Sequence, residues 1–435
     1  MSAGVSASAS SSLRFNTLDE WLKWQESLHA TEIELGLERC RQVADRLGLL
    51  KPPYTVVSVA GTNGKGSSVG MLDSILRKSG YRVGCYTSPH LIRYNERIHI
   101  DGEEASDTAL CRAFERINDA RGDISLTYFE FGTLAALELC REAGVDIAVL
   151  EVGLGGRLDA VNVLDADCAL VTAIDLDHQN YLGDTRELIA VEKAGIYRPG
   201  RPAVCSDPQP PTTLHDYAHR IGAQLSVYGQ DFYCERHDDN WDWHSGVDSW
   251  IGLPYPDPFN SCQIQNATGV LMVLHHLRAR FPVQPEAVRQ GLVGFRLNGR
   301  FQVLPGEFQY VLDVAHNAHA ARMLLDNLRQ LPCTGRTHVI IGMLRDKDRS
   351  GVFKVLNEVA DSWHTISLTN SRGTAAEVLT RELESLDTGK PISSHDDMAA
   401  ALAAVRAQAA AADRVLITGS FLTVGAALRL LEAKG

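Results

Sequence analysis

Tyr54-Thr55-Val56-Val57-Ser58-Val59-Ala60-Gly61-Thr62-Asn63-Gly64-Lys65-Gly66-Ser67 decides the fold class. Seven residues rich in β-branched side chains read as a strand that runs directly into a glycine-rich turn. Residues 69–78 then space their apolar side chains as a helix, and Gly80 closes it. Strand, glycine-rich turn and helix in that order open a parallel α/β unit.

The same order recurs on either side of this stretch. Residues 81–86 read as a strand entering Thr87-Ser88-Pro89-His90, 146–152 as one entering Gly153-Leu154-Gly155-Gly156, and 168–174 as one entering Asp175-Leu176-Asp177-His178. Helical segments separate most of them, which predicts a mostly parallel sheet with helices on both faces. Upstream, helical patterning begins near Thr17 with Leu18, Trp21, Leu22 and Leu28, and a second helical stretch ends at Pro52 and Pro53. Residues 206–261, with their prolines and Asn240-Trp241-Asp242-Trp243, predict short strands and loops rather than long helices. Helix resumes near Asn266. After Arg300 a second alternation starts: strands at 308–314, 338–341, 364–368 and 414–418, and helices at 318–331, 352–360 and from Thr423. The expected organisation is a disordered tail (1–16), a phosphate-loop domain (17–297) and a smaller α/β domain (298–435). The boundary falls at Arg296-Leu297-Asn298-Gly299-Arg300.

Composition narrows the function classes. A chain of 435 residues is long enough for two cores, and 45% hydrophobic with 22% charged residues is ordinary globular composition. A net charge of -12 argues against a nucleic-acid partner, which is bound by excess Lys and Arg. No apolar run approaches the roughly 20 residues of a membrane-spanning helix. Nine dispersed cysteines without a CxxC pair read as reduced thiols, and the opening MSAGVSASASSS lacks the basic and apolar regions of a secretory signal. Together these predict a cytoplasmic protein.

In the opening stretch, glycines let successive backbone N–H groups turn inward on a phosphate, and the helix that follows adds the positive end of its dipole. Lys65 supplies a mobile cation for the outer phosphates. Two residues rather than four separate the glycines, and Gly66 follows the lysine, which points away from GTPases and motor ATPases. The plainer reading is a tight β–α turn carrying an exposed lysine. Glu151, at the end of an apolar strand, suits a magnesium ligand, since ligands collect at the carboxyl ends of parallel strands. His178 stands at an equivalent strand end, where a packed histidine is the plainer alternative. Lys193, late in a helix that Asp184 and Glu187 cap as a box, reads from spacing alone as a cation serving the helix dipole.

The motifs in combination resemble the folylpolyglutamate synthases, and most closely the bacterial bifunctional dihydrofolate synthase/folylpolyglutamate synthase. The residues that carry this are Gly61–Ser67, Thr87-Ser88-Pro89-His90, Asn95-Glu96-Arg97-Ile98, Glu151 to Ala160, Asp177-His178, Glu192-Lys193-Ala194-Gly195-Ile196, Gly299-Arg300-Phe301 and Asp313 to Asn317, in the family's order. The resemblance implies a phosphate-loop ATPase domain, a Rossmann-like glutamate ligase domain and a site in the cleft between them. It also implies roles. Asn63, Gly64, Lys65, Gly66, Ser67, Asn266, Arg300 and Asp313 would contact ATP. Ser88, Glu151, His178 and Lys193, the last as a carbamate, would hold two magnesium ions. Lys65, His178 and Lys193 would be catalytic. Thr127, Tyr128, Phe129, Glu130, Leu158, Asp159 and Ala160 would border the pterin substrate. The implied substrates are ATP, L-glutamate and dihydropteroate or a reduced folate, joined through an acyl phosphate by a monomer. Ala318 and Val161 depart from the family's usual proline and threonine.

Three other readings compete. A muramyl-peptide-type ligase shares the loop and the acyl-phosphate chemistry. A regulatory ATPase would hydrolyse ATP without folate or amino acid. An oxidoreductase is suggested by Gly153-Leu154-Gly155-Gly156, which lacks the third glycine of a dinucleotide fingerprint. His316 and His319 suggest zinc, but two histidines without further ligands more often pack or bind substrate.

Overall fold

The computed structural model describes residues 14–31, 33–246, 248–256, 261–295 and 297–432. Most of the expected tail and Arg296 at the expected boundary lie outside the described residues.

Two parallel sheets organise the chain. In the first, strands Val83–Tyr86, Ile147–Glu151, Thr55–Ala60, Cys168–Val171, Pro202–Cys205 and Gln224–Val227 lie side by side and parallel. Ile98–Ile100 and Glu103–Glu104 extend the Val83 edge antiparallel. Because side chains alternate along a strand, each central strand feeds two cores. Val56, Ala60 and Leu150 pack with Phe131 and Leu134 on one face. Val57, Val59 and Val149 pack with Leu72, Ile75 and Leu271 on the other. Burial on both faces is why these strands read as nearly unbroken apolar runs. The second sheet orders Gln302–Leu304, Gln309–Leu312, Arg414–Thr418, Thr337–Ile341, Ser362–Ile366 and Ile392–His395, all parallel except the first.

Several expected boundaries move. The phosphate-loop helix is Lys65–Lys78, one turn earlier than its apolar spacing shows, because its first turn is built of glycine and serine. The strand expected over 168–174 pairs only to Val171. Beyond it Thr172 turns its hydroxyl to the carbonyls of Asn63 and Ala60. The Arg186–Ala194 helix is capped by Thr185, whose hydroxyl accepts from Leu188 N, and not by Asp184. Residues 206–261 contain the strands expected there and also a ten-residue helix, Thr212–Ile221. Their antiparallel strands Phe232–Arg236, Trp241–Ser245 and Ser249–Leu253 place Trp241 and Trp243 in the core. The Trp243 indole donates to Thr268 O at 3.1 Å, which braces the Ser261–Leu277 helix. That helix carries Asn266 to the phosphate loop.

Candidate active site

The phosphate loop is held by backbone geometry. Gly64 caps the helix at φ +91°, and a Cβ there would lie 2.3 Å from Asn266 Oδ1. Gly61, at φ +153°, would place a Cβ 1.8 Å from Thr172 Oγ1. Only glycine fits where the loop is pressed against its neighbours in these conformations. Thr62 N donates to Ala173 O at 2.7 Å, and Gln263 Nε2 donates to Ser67 Oγ at 3.1 Å. Lys65 folds back, its Nζ donating to Gly61 O at 2.9 Å and Thr62 O at 3.2 Å. Burial lowers its pKa, against the pull of Glu151.

Parallel register brings the next groups together. Thr55–Ala60 pairs with Ile147–Glu151 so that Val59 lies beside Glu151, and with Cys168–Val171 on its other side. Loops leaving the three strands therefore meet. One cleft is lined by Asn63, Gly64, Lys65, Gly66, Ser88, Glu151, His178, Lys193 and Arg300, together with Asp177, His316 and Phe421. Glu151 is buried, accepts from Ser88 N at 3.3 Å, and has its pKa raised by burial while Lys65 and Arg300 draw it down. Lys193 lies in the last turn of its helix, 3% exposed, with its pKa lowered to about 7 by burial and by Lys65. It approaches the cleft because Gly156 lets the 153–157 loop lie on the helix end: a Cβ there would meet Glu192 O at 2.8 Å. Arg157 secures the contact through Glu192 Oε1 at 2.8 Å.

The second sheet closes this cleft. Lys347 Nζ reaches Asp177 Oδ1 at 2.7 Å and His178 Nε2 at 3.2 Å. Asn317 Nδ2 donates to Asp177 Oδ2 at 3.2 Å, and Asn63 Nδ2 lies 2.8 Å from His319 Nδ1. Burial opposes ionisation of Asp177, but His316 and Lys347 outweigh it and hold the carboxyl far below its usual range. Burial lowers the pKa of His178 to about 4, leaving a neutral imidazole.

Other expected site residues stand behind the lining. Ser67 is engaged by Gln263, and Asn266 donates to Gln263 Oε1 at 3.3 Å. Asp313 accepts from Phe301 N and Ala315 N, both at 2.8 Å, which fixes the turn that presents Arg300. Arg300 lies over the Phe421 ring at 5.1 Å. Thr127 and Glu130 form a capping box at the start of Tyr128–Ala143, and Arg39 reaches Glu130 at 3.2 Å. Phe129 packs against Gly153, where a Cβ would lie 2.5 Å from its ring. Leu158 O accepts from Gly36 N at 3.1 Å. Asp159 accepts from Leu154 N and Val161 N, and burial pushes its pKa up to about 7. Ala160 is buried at the start of the turn Ala160–Val163. Tyr128 is half-buried beside Arg97.

Lys347 and Phe421 are not marked by the sequence as site residues, and His316 is marked only as half of a weak zinc pair. Lys347 did carry a signal: it follows an apolar strand and Gly342, the same strand-to-loop placement that singled out Lys65.

The donor chemistry suits a divalent cation at Glu151 and Ser88, an oxygen pair beside the phosphate loop. Around His178 and Lys193 it fits less directly, because the Lys347 ammonium already occupies the His178 Nε2 lone pair. A cation there would require Lys347 to withdraw and Lys193 to be converted to an oxygen anion.

Comparisons with known proteins show what the chain as a whole is similar to. Residues 59–229 match the Mur ligase middle domain, and residues 299–421 match the Mur ligase, glutamate ligase domain. The dihydrofolate synthase/folylpolyglutamate synthase of Escherichia coli K12 is 44% identical over 417 residues, 96% of each chain. The structure of E. coli FolC in complex with DHPP and ADP has a TM-score of 0.90 at 43% identity, covering 96% of this chain and 98% of that one. A bifunctional folylpolyglutamate synthase/dihydrofolate synthase with Mn, AMPPNP and L-glutamate bound has a TM-score of 0.89, again at 43% identity and with the same coverage.

Proposed function

Because the chain belongs to the Mur ligase family, and within it to the dihydrofolate synthases/folylpolyglutamate synthases, we propose how its residues divide the work of an ATP-dependent glutamate ligase. The enzyme joins L-glutamate to a folate-type carboxylate through an acyl phosphate and uses ATP with a divalent metal. The observation that carries the assignment of residues is the convergence of Lys65, Glu151, His178 and Lys193 on one cleft.

A carboxylate is a poor acyl donor because its leaving group would be oxide. Transferring the γ-phosphate to it makes phosphate the leaving group. Asn63, Gly64, Gly66 and Ser67 hold the phosphates of ATP, and Lys65 leaves the loop carbonyls to neutralise charge on the group in transfer. Asn266 and Asp313 act behind them on the nucleotide, with Arg300 reaching across the cleft. Ser88 and Glu151 would hold one magnesium ion, and His178 with Lys193, once carbamylated, would hold a second. Metal bound there would supply charge neutralisation on the phosphoryl group in transfer. A lysine with its pKa near 7 carries a large neutral fraction at neutral pH, and only the neutral amine adds carbon dioxide. Thr127, Tyr128, Phe129, Glu130, Leu158, Asp159 and Ala160 border the acceptor, several of them by fixing the walls. Closure of the second domain, divided from the first near 297/298, excludes water from the acyl phosphate until the glutamate amine attacks. The protein acts as a cytoplasmic monomer without nucleic-acid or membrane partners. No helix among the described residues is long and apolar enough to cross a membrane.

The test is phosphate release from ATP and magnesium with glutamate and dihydropteroate or tetrahydrofolate, added singly and together. Release that needs both co-substrates, with a product heavier by one glutamyl unit, supports the assignment. Release indifferent to both would favour a regulatory ATPase.

A further inference from the structure

Arg97 is 8% exposed, yet among the described residues no carboxylate pairs with it. Its Nε donates to His90 Nδ1 at 2.9 Å, and among the described residues no hydrogen bond uses either Nη. The guanidinium carbon lies 5.4 Å from the Tyr94 ring centre and 5.5 Å from that of Tyr128. His90 meets Arg97 through a ring nitrogen that accepts, so it brings no carboxylate-like counter-charge. The acids nearby are committed elsewhere. Glu96 accepts from the N–H groups of Leu91, Ile92 and Arg93, and Asp107 accepts from Arg93 and Asn95.

Arg414 shows what a buried structural arginine looks like in the same molecule. At 5% exposure its guanidinium donates to Leu328 O, Leu331 O and Thr337 Oγ1, leaving no nitrogen idle. A buried cation with idle donors and no anion is costly, and it is kept where an anion arrives. The position of Arg97 says where that anion comes from. Its carbonyl accepts from Thr87 N at 2.8 Å, which sets it next to Ser88 and Pro89 of the cleft lining. Tyr128, on its other side, belongs to the proposed acceptor wall.

We propose that Arg97 is the receptor for the carboxylate end of the acceptor, which its two idle Nη groups grip as a fork while Tyr94, Tyr128 and His90 hold the guanidinium flat. This rests on the glutamate-ligase reading. Arginine suits the task because its planar donors match a carboxylate bidentately, which a lysine cannot do.

The test measures initial rates of full-length wild type, Arg97→Gln and Arg97→Lys at saturating ATP, magnesium and glutamate, with the acceptor varied. Arg97→Gln is expected to raise the acceptor KM by about tenfold or more and to leave the ATP KM within about twofold. Arg97→Lys is expected to recover part of the loss. Binding of 6-hydroxymethyl-7,8-dihydropterin, which has no carboxylate, is expected to stay equal in all three proteins. An unchanged acceptor KM, equal rises for ATP and acceptor, or parallel loss of the neutral pterin would each overturn the proposal. If Arg97→Gln does not fold, Arg97→Lys decides alone: its acceptor KM must rise while its ATP KM does not. Failure of wild type to turn over any acceptor would instead overturn the functional reading itself.

Discussion

Lys193→Met removes the amine at the centre of the proposed carbamate and keeps a side chain of similar length. The folded-state pKa near 7, against 10.5 for a free lysine, means that burial together with the nearby Lys65 charge disfavours the ammonium by about 5 kcal/mol, at 1.36 kcal/mol per pH unit. Below about pH 7 Lys193 is protonated both folded and unfolded, so the whole penalty weighs on the folded protein. Above pH 7 the folded chain gives up the proton while the unfolded chain keeps it up to 10.5. The unfolded state then binds more protons, and stability rises with pH across that window. Urea unfolding of wild type and Lys193→Met, free of nucleotide and carbon dioxide, isolates this contribution because other groups cancel in the difference. The methionine variant is expected to be the more stable protein at about pH 6, by an amount approaching 5 kcal/mol. Its advantage is expected to shrink by about 1.4 kcal/mol per pH unit between pH 7 and pH 9. A difference that does not change with pH would refute a desolvated amine at this position. With ¹³C-bicarbonate the wild type alone is expected to show a carbamate carbonyl resonance, and Lys193→Ala to regain some turnover with short carboxylic acids.

Lys65→Ala is expected to lower turnover by about a thousandfold or more with little change in melting temperature, since among the described residues Lys65 bonds only to loop carbonyls. Turnover retained in the variant removes Lys65 from the mechanism. Gly64→Ala forces φ +91° on a residue with a Cβ and drives that Cβ to 2.3 Å from Asn266 Oδ1. It is expected to cost about 1–3 kcal/mol in thermal unfolding and to raise the ATP KM, whereas an unperturbed melt and KM would mean the loop relaxes freely.

Much of the site was legible because strand ends carry both fold and chemistry. Lys65, Glu151 and His178 each follow an apolar strand, and parallel pairing necessarily brings such ends to one edge of the sheet. Lys193 was legible only by resemblance. Its spacing describes a dipole-serving helix end, and nothing local reveals that Gly156 lets a loop bury it. Thr172 was hidden inside an apolar run although its hydroxyl braces the phosphate loop. The Thr212–Ile221 helix was missed among the prolines that precede it, where turn signals outweighed its short apolar spacing.

The sequence by itself determined the α/β class, the phosphate loop and the family, because these rest on local order: β-branched run, glycine turn, helix, and motifs in series. Tertiary structure alone decided which charges share an environment. Lys347 lies 170 residues from Asp177 along the chain and 2.7 Å from it in space. Arg97 has acidic neighbours in sequence, yet each is taken by backbone donors or other side chains, so its charge is left for a ligand. Burial and partnership are properties of packing between distant segments, and they set whether a lysine is a cation, an arginine is idle or a carboxylate is free to bind metal.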